Sequence, residues 1–165
     1  MSLRSSEAEL VIGLVSRIGI DNRSVSESIK KILKEYNYRV VEIKATDAII
    51  EIDQFSTLDL GSIEKRYKNL IKACDTLREK TQANDIMAKL AVSRITHERS
   101  RLDSSGSRLH RVAYIINQLK RKEESELLRS LYGEHYVQIA CHAKRSIREK
   151  RLSTLISNDN PRKPK

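Results

Sequence analysis

The stretch that decides the fold is ELVIGLVSRIGID, residues 9–21. Residues 10–15 form an apolar run that predicts a buried β-strand, and a turn containing Gly19 follows. A helix-like spacing of apolar residues begins soon after that turn. A buried strand that leads through a glycine turn into a helix can hold a phosphate, because the N–H groups of the turn and the helix dipole both point at the anion. The stretch therefore predicts an α/β fold with a phosphate-binding loop.

This loop keeps only part of the phosphate-loop pattern G-x-x-x-x-G-K-[ST]. Gly19 fits the second glycine, whereas Leu14, Ile20 and Asp21 occupy the first glycine, lysine and hydroxyl positions. A kinase also needs an acidic residue after a second strand, but the apolar stretch VAYII is followed by Asn117. We therefore expect no efficient kinase activity and assign no catalytic residue. A weak nucleotide kinase stays as an alternative.

Composition indicates a soluble globular domain. The chain has 165 residues, of which 39% are hydrophobic and 33% charged, and we count no apolar run of the length that a membrane span needs. The first nine residues lack the apolar core of a secretory signal. Cys74 and Cys141 form no C-x-x-C pair, so we expect reduced thiols, a cytoplasmic location, no membrane partner and no zinc site of the chain's own.

Basic residues concentrate toward the C-terminus. The net charge is +10, and residues 108–165 contain 14 Lys and Arg against 6 Asp and Glu. Such a bias favours phosphate-bearing partners, either a nucleotide or a nucleic acid. A well-solvated helix face with a basic tail explains the composition equally well.

Apolar spacing predicts strands that alternate with helices. Ser24 with Glu27 forms a candidate capping box for the first helix, whose apolar face would contain Val25, Ile29, Ile32, Leu33 and Tyr36. The predicted strands cover 10–15, 39–43, 112–116 and 136–141. The predicted helices cover 24–36, 62–102 with a break at Asn84-Asp85, 123–132 closed by Gly133, and 143–157 with Ile147, Leu155 and Ile156 inward. This order predicts a mostly parallel sheet with helices on both faces and the first strand in a central position. We assign residues 1–157 to one domain and 158–165 to a disordered basic tail.

The candidate nucleotide-binding residues come from the loop and from the last helix. The set is Ser16, Arg17, Ile18, Gly19, Ile20 and Asp21, with Arg145, Arg148 and Arg151. Arginine pairs with phosphate through two parallel hydrogen bonds, and Arg148 and Arg151 are three residues apart on one helix face. A nucleoside triphosphate with Mg²⁺ is the candidate ligand. The alternatives are a solvated helix surface and a turn kept for folding alone.

The remaining residues that could carry chemistry are predicted to be structural. His97, His110, His135 and His142 have no metal-ligand spacing and are expected at the surface or in turns. Tyr67, Tyr114, Tyr132 and Tyr136 are expected to be amphipathic packing residues, with base stacking by one of them as the less favoured alternative. We therefore expect no resident metal.

Four segments in this order resemble one known family. They are ELVIGLVSRIGID, LREKTQANDIMAKLAVSRI, RVAYIINQLKRKEESELLRSLYGEHYVQIACHA and RSIREKRL. Together they resemble the N-terminal region of anti-phage dCTP deaminases, also called deoxycytidylate deaminase-related proteins, over residues 9–157. In that family a P-loop kinase-like domain precedes a zinc-dependent deaminase domain. The resemblance implies a P-loop kinase-like three-layer sandwich with a long helical insertion.

The resemblance also implies a regulatory role in phage defence. The full-length family deaminates deoxycytidine nucleotides, which uses zinc held by His-x-Glu and Pro-Cys-x-x-Cys elements. This chain has neither element, so we expect no deaminase chemistry and interpret it as the front domain, partnered by a deaminase domain in a longer protein. Two alternatives remain open: a basic nucleic-acid-binding module, and a scaffold that forms homo-oligomers through the helices of residues 62–102.

Overall fold

A computed structural model describes residues 8–103 and 110–159. The predictions for the N-terminal residues 1–7, for most of the polar loop 101–107 and for the tail from residue 160 onward lie outside the described residues. The described strands are β1 (Leu10–Ser16), β2 (Arg39–Ile43), β3 (Val112–Leu119) and β4 (Tyr136–Cys141). The described α-helices are α1 (Asn22–Glu35), α2 (Ala45–Ile49), α3 (Ile63–Thr81), α4 (Ile86–Leu102), α5 (Lys122–Tyr132) and α6 (Arg145–Asp159).

The described strands form one parallel sheet in the order β2-β3-β1-β4. The prediction of a parallel sheet with β1 in a central position is confirmed. The connection from β1 leads to β2, whereas the connection from β3 leads in the opposite direction to β4. The carboxyl ends of β1 and β3 therefore form a topological switch point, the place where open α/β sheets bind ligands.

Each face of the sheet carries its own hydrophobic core, which confirms the three-layer arrangement. Val11, Tyr114 and Ile116 point into the larger core with residues of α4 and α5. Ile12, Leu14 and Ile115 point into the smaller core beneath α1. Because alternate residues of β1 and β3 point into opposite cores, the sequences of both strands are continuous apolar runs.

The long helical region has the predicted break. Thr81 ends α3, and Ile86 begins α4 after a turn that contains Asn84-Asp85. Ser62 caps α3, since its hydroxyl accepts a hydrogen bond from the Lys65 amide at 3.2 Å. Among the helices of the described residues, none combines the length and apolar character needed to cross a bilayer.

The predicted start and face of α1 are wrong in part. Asp21, not Ser24, is the N-cap, and its Oδ1 accepts from the Ser24 amide at 3.2 Å. Glu27 pairs with Lys30 instead of completing a capping box. Ile32 and Tyr36 are 56% and 65% exposed, because the face of α1 that meets the small core carries Val25, Ile29 and Leu33.

The predictions for α6 need a second correction. The helix begins at Arg145 instead of residue 143 and continues to Asp159, so the first two residues of the predicted tail are helical. Ile147 is 58% exposed and no residue of α6 is fully buried. The helix packs against α3 and is joined to the glycine loop by polar contacts of Arg148 and Arg151, and Ile147 belongs to neither hydrophobic core.

Strand β3 is three residues longer than predicted. Between Gly13 and Val15 the partner strand advances from Ile116 to Leu119, which leaves one extra residue on β3. Gln118 has φ +65, the left-handed conformation that accompanies such a β-bulge. The bulge extends β3 to Leu119, directly before Lys120 and Arg121 of the candidate site described below.

Candidate functional site

An open cleft of about 1390 Å³ lies at the carboxyl edge of the sheet. Its floor is formed by the ends of β1 and β3, and its walls come from α3 and α6. Its charged lining is predominantly basic, with four acidic side chains (Glu27, Glu42, Asp75 and Glu124) against nine basic ones: Arg17, Arg23, Lys44, Arg66, Arg78, Lys120, Arg121, Arg148 and Arg151. A concave site with an excess of cations at a switch point suits an anionic ligand.

Lys120 is the cation nearest to the start of the glycine loop. Its Nζ donates to the carbonyl oxygen of Ser16, the last residue of β1, at 2.6 Å. The residue is exposed because it lines an open cleft. Partial desolvation of its ammonium lowers the pKa of Lys120, while the Glu124 carboxylate partly opposes the shift. A positive charge thus stands beside the loop although position 20 lacks one.

Two asparagines offer carbonyl oxygens to the same region. Asn22, at the start of α1, donates from Nδ2 to Ser16 Oγ at 2.8 Å, and its residue is 8% exposed. The Oδ1 atoms of Asn22 and Asn117 are buried and have no hydrogen-bond partner within the described residues. Buried acceptors normally have partners, so both oxygens are suited to accept from donors of a ligand or from water.

Gly19 serves the packing of α6. It has φ +85, and a Cβ at this position would lie 2.6 Å from the Arg148 carbonyl oxygen. Arg148 also donates from Nη1 to the Ile18 carbonyl oxygen at 3.1 Å. The glycine therefore permits α6 to approach the loop, which gives it a structural role whether or not a phosphate binds.

The capping carboxylate at position 21 faces a cation of α6. Asp21 Oδ2 lies 2.5 Å from Arg151 Nη1, and both side chains are more than one-third exposed. This pair joins α6 to the N-terminus of α1. The Asp21 carboxylate thus occupies the positive end of that helix, where a ligand anion is otherwise favoured.

The structure brings together six of the nine predicted nucleotide-binding residues. The cleft is lined by Ser16, Arg17, Ile18, Ile20, Arg148 and Arg151, but not by Gly19, Asp21 or Arg145. Arg145 pairs with Glu149 at 2.6 Å and its side chain is 83% exposed. Among the described residues, Arg17 and Arg121 are exposed and have no acidic ion-pair partner, so both guanidinium groups are available to a ligand.

One wall of the cleft is apolar. It is formed along α3 by Ile63, Tyr67, Leu70, Ile71 and Cys74. Ile71 is 50% exposed and Tyr67 half-buried, so this wall presents apolar surface opposite the cationic floor. A ligand with an anionic group at one end and a flat, less polar group at the other would match both surfaces.

Glu42 is an acidic group at the end of β2. Burial raises the pKa of Glu42, but hydrogen bonds from Ser26 Oγ and from Lys30, 3.2 Å away, outweigh that effect, so the pKa is lowered. The carboxylate is therefore a persistent negative charge. It favours placement of a ligand's phosphate toward β1 and β3, away from β2.

Sequence reasoning missed Lys120 and Glu124. Glu124 is 1% exposed, and its Oε2 accepts from the Lys120 amide at 2.6 Å and the Arg121 amide at 3.0 Å. The spacing of a glutamate three residues after the helix cap was a usable signal. The capping box was not recognised in the sequence because its pattern has Ser or Thr at the cap position, where this chain has Arg121.

The other candidate residues are structural or at the surface. Tyr114, Tyr132 and Tyr136 are buried as predicted, and the two cysteines are free thiols that line the cleft. Burial raises the pKa of the Cys74 thiol to about 11. Within residues 8–103 and 110–159, no group of three or more His, Cys, Asp or Glu side chains is placed to hold a metal ion. The described histidines are exposed or half-buried, and His142 lines the cleft.

Comparison with known proteins adds no further assignment. No family model matches this chain, and no curated protein matches it. The resemblance to dCTP deaminases therefore remains a hypothesis.

Proposed function

We propose that this chain binds a nucleoside phosphate in the cleft at the carboxyl edge of the sheet. The observation that carries the proposal is the contact between Lys120 and Ser16, at 2.6 Å. A cation at the start of the glycine loop, at the switch point between β1 and β3, supports binding of a phosphate there. Arg17 and Arg121 would supply further hydrogen bonds to the phosphate oxygens.

The apolar wall of α3 supports a nucleoside as the organic part of the ligand. A nucleobase would lie against Tyr67 and its apolar neighbours on that wall, while the phosphates occupy the cationic floor. Glu42 and the free oxygen of Asn22 would accept from hydroxyl or amino groups of the same ligand. This division of the cleft favours a nucleotide over a simple inorganic anion.

Binding without efficient turnover fits the residues at the loop. Ile20 and Asp21 stand at the positions where phosphoryl transfer uses a lysine and a magnesium-binding hydroxyl. Asn117, at the end of β3, is not an acid. We therefore propose a sensing role. By its resemblance to the dCTP deaminase family, the domain would report nucleotide binding to a deaminase domain.

Titration of nucleotides tests this proposal. dCTP, dCMP, ATP, GTP and inorganic tripolyphosphate would be titrated by calorimetry against the wild-type chain and Lys120→Met, with and without Mg²⁺. A hydrogen bond to a charged group contributes about 1.5–3 kcal/mol, so Lys120→Met should weaken nucleotide binding about tenfold or more. Lys122→Met is the matched control, because Lys122 is 79% exposed and pairs with Glu126.

Two results would contradict the proposal. One is the absence of saturable binding of every nucleotide to the wild-type chain. The other is equal affinity in the wild type and in Lys120→Met, which would place the ligand elsewhere.

A nucleic-acid-binding surface is the second candidate function. The observation that favours it is the exposed basic side chains at Lys144, Arg145 and Lys150, two of them on α6 and all three outside the cleft. A nucleic acid bound there would lose affinity steeply with salt, with a slope that reflects several phosphate contacts. Replacing Lys144 and Lys150 with glutamine would then weaken single-stranded DNA binding while nucleotide binding persists.

A further inference from the structure

We infer that Glu124 is a positioning residue, which holds Lys120 in place for the ligand phosphate through the backbone of the β3–α5 loop. The ligand readout below rests on the proposed function. A second readout needs no ligand, so the two ideas can fail separately.

Glu124 fixes the backbone of the two residues that connect β3 to α5. Its Oε2 accepts from the amides of Lys120 and Arg121, at 2.6 and 3.0 Å. These two N–H groups lie at the start of α5, where helix geometry leaves donors without partners. The carboxylate therefore sets where the main chain of Lys120 leaves the strand.

Arg78 in turn holds Glu124. Arg78 Nη2 donates to Glu124 Oε1 at 3.0 Å, and the side chains of the pair are 11% and 2% exposed. Arg78 Nη1 also pairs with Asp75 at 3.0 Å. Both oxygens of Glu124 are thus used by donors of this chain, so the carboxylate is expected to act on a ligand through the two loop residues that it holds, and chiefly through Lys120.

Lys120 is consequently held at both ends. Glu124 fixes its backbone, and the Ser16 carbonyl oxygen receives its ammonium at 2.6 Å. A free lysine side chain loses considerable rotamer entropy when it is ordered by a ligand. Restraint at both ends removes part of that cost before the ligand arrives, which is preorganisation.

The first test measures the reactivity of Lys120 without ligand. The wild type, Glu124→Gln and Glu126→Gln are treated with acetic anhydride, and acylation of Lys120 relative to the exposed Lys68 is measured by peptide mass spectrometry. Loss of the Glu124 charge, which favours the protonated amine, and of the backbone restraint should speed acylation of Lys120 about threefold or more. Glu126→Gln should change nothing, because Glu126 is exposed and lies outside the cleft.

The second test is a double-mutant cycle for tripolyphosphate binding. Glu124→Gln should weaken binding about tenfold when Lys120 is present, the effect of about 1.4 kcal/mol. In the Lys120→Met background the same substitution should change the affinity less than about twofold. A purely structural role for Glu124 would weaken binding equally in both backgrounds.

Each outcome has a definite meaning. Unchanged acylation of Lys120, or equal losses in both backgrounds, overturns the inference. If the wild type binds no phosphate ligand, the proposed function fails, and the acylation result alone decides the positioning role. If circular dichroism shows that Glu124→Gln is unfolded, Glu124→Asp replaces it, because the shorter carboxylate keeps the charge but withdraws from the Lys120 amide.

Discussion

Substitution of Gly19 by alanine should destabilise the fold through two separate effects. The first is backbone strain, because Gly19 has φ +85 and an L-residue in that conformation loses about 1–2 kcal/mol of stability. The second is a steric clash, because the new Cβ would lie 2.6 Å from the Arg148 carbonyl oxygen and 2.9 Å from its Cβ. Overpacking of this kind costs about 1–3 kcal/mol. The sum, about 2–5 kcal/mol, is a large part of the roughly 5–15 kcal/mol that stabilises a typical domain.

Gly133→Ala is a control for positive φ without a clash. Gly133 has φ +54, but a Cβ there meets no atom within 4 Å. Urea denaturation of both variants, followed by circular dichroism, gives the two losses in the free energy of unfolding. Gly19→Ala should lose more than Gly133→Ala by the contribution of the clash, about 1–3 kcal/mol. Thermal unfolding should show the same order, at about 2–4 °C per kcal/mol for a chain of this size.

Equal losses in the two glycine variants would refute the reasoning, because α6 would then not pack against Gly19. The result also bears on how the site is mapped. A side chain at position 19 would push α6 outward and move Arg148 and Arg151 with it. Loss of ligand binding in a Gly19 variant therefore does not locate the phosphate at the turn, whereas a Lys120 variant leaves that packing intact.

Two further predictions concern charge near the cleft. Asp21→Asn keeps a good N-cap but removes the anion that pairs with Arg151, so the free energy of unfolding should change by no more than about 1 kcal/mol. Tripolyphosphate should bind about two- to fivefold more tightly by calorimetry; equal or weaker binding would show that Asp21 does not compete with the ligand. Burial raises the pKa of the Cys74 thiol from 9.0 to about 11, so the thiol ionises at a lower pH in the unfolded chain than in the folded chain. Its contribution to the free energy of unfolding is therefore complete below about pH 9 and is lost as the pH rises toward 11. Urea titrations across this range should give a steeper fall for the wild type than for Cys74→Ala, and identical slopes would contradict the assignment.

The fold was largely predictable because its strongest signals are local. β1 is a continuous apolar run, and such runs indicate strands buried on both faces. The residues of β2 were predicted with the observed bounds, Arg39–Ile43, since β-branched residues follow a clear helix end. The break at Asn84-Asp85 was visible because polar residues interrupt two apolar stripes.

Errors arose where two local signals compete or where tertiary packing decides. Asp21 and Ser24 are both good caps three residues apart, and nothing local chooses between them. The contact of Arg151 with Asp21 favours the earlier position, but it joins residues that are distant in the chain. Ile147 was expected inward because it is apolar, but α6 is held by α3 and by polar contacts with the glycine loop, and Ile147 stays exposed.

The site was harder to predict than the fold because a sequence pattern specifies positions along the chain, whereas a phosphate responds to charge in space. The absence of lysine at Ile20 argued against a functional loop, yet the bulge at Gln118 extends β3 and delivers Lys120 to within 2.6 Å of the Ser16 carbonyl oxygen. That delivery depends on the register between β1 and β3 and on the buried carboxylate of Glu124, and neither can be seen in a local window of sequence. A loop that has lost its lysine therefore need not have lost its cation. In this molecule a cation reaches the loop from the residue that follows β3, and under the proposed function that charge would contact the ligand phosphate.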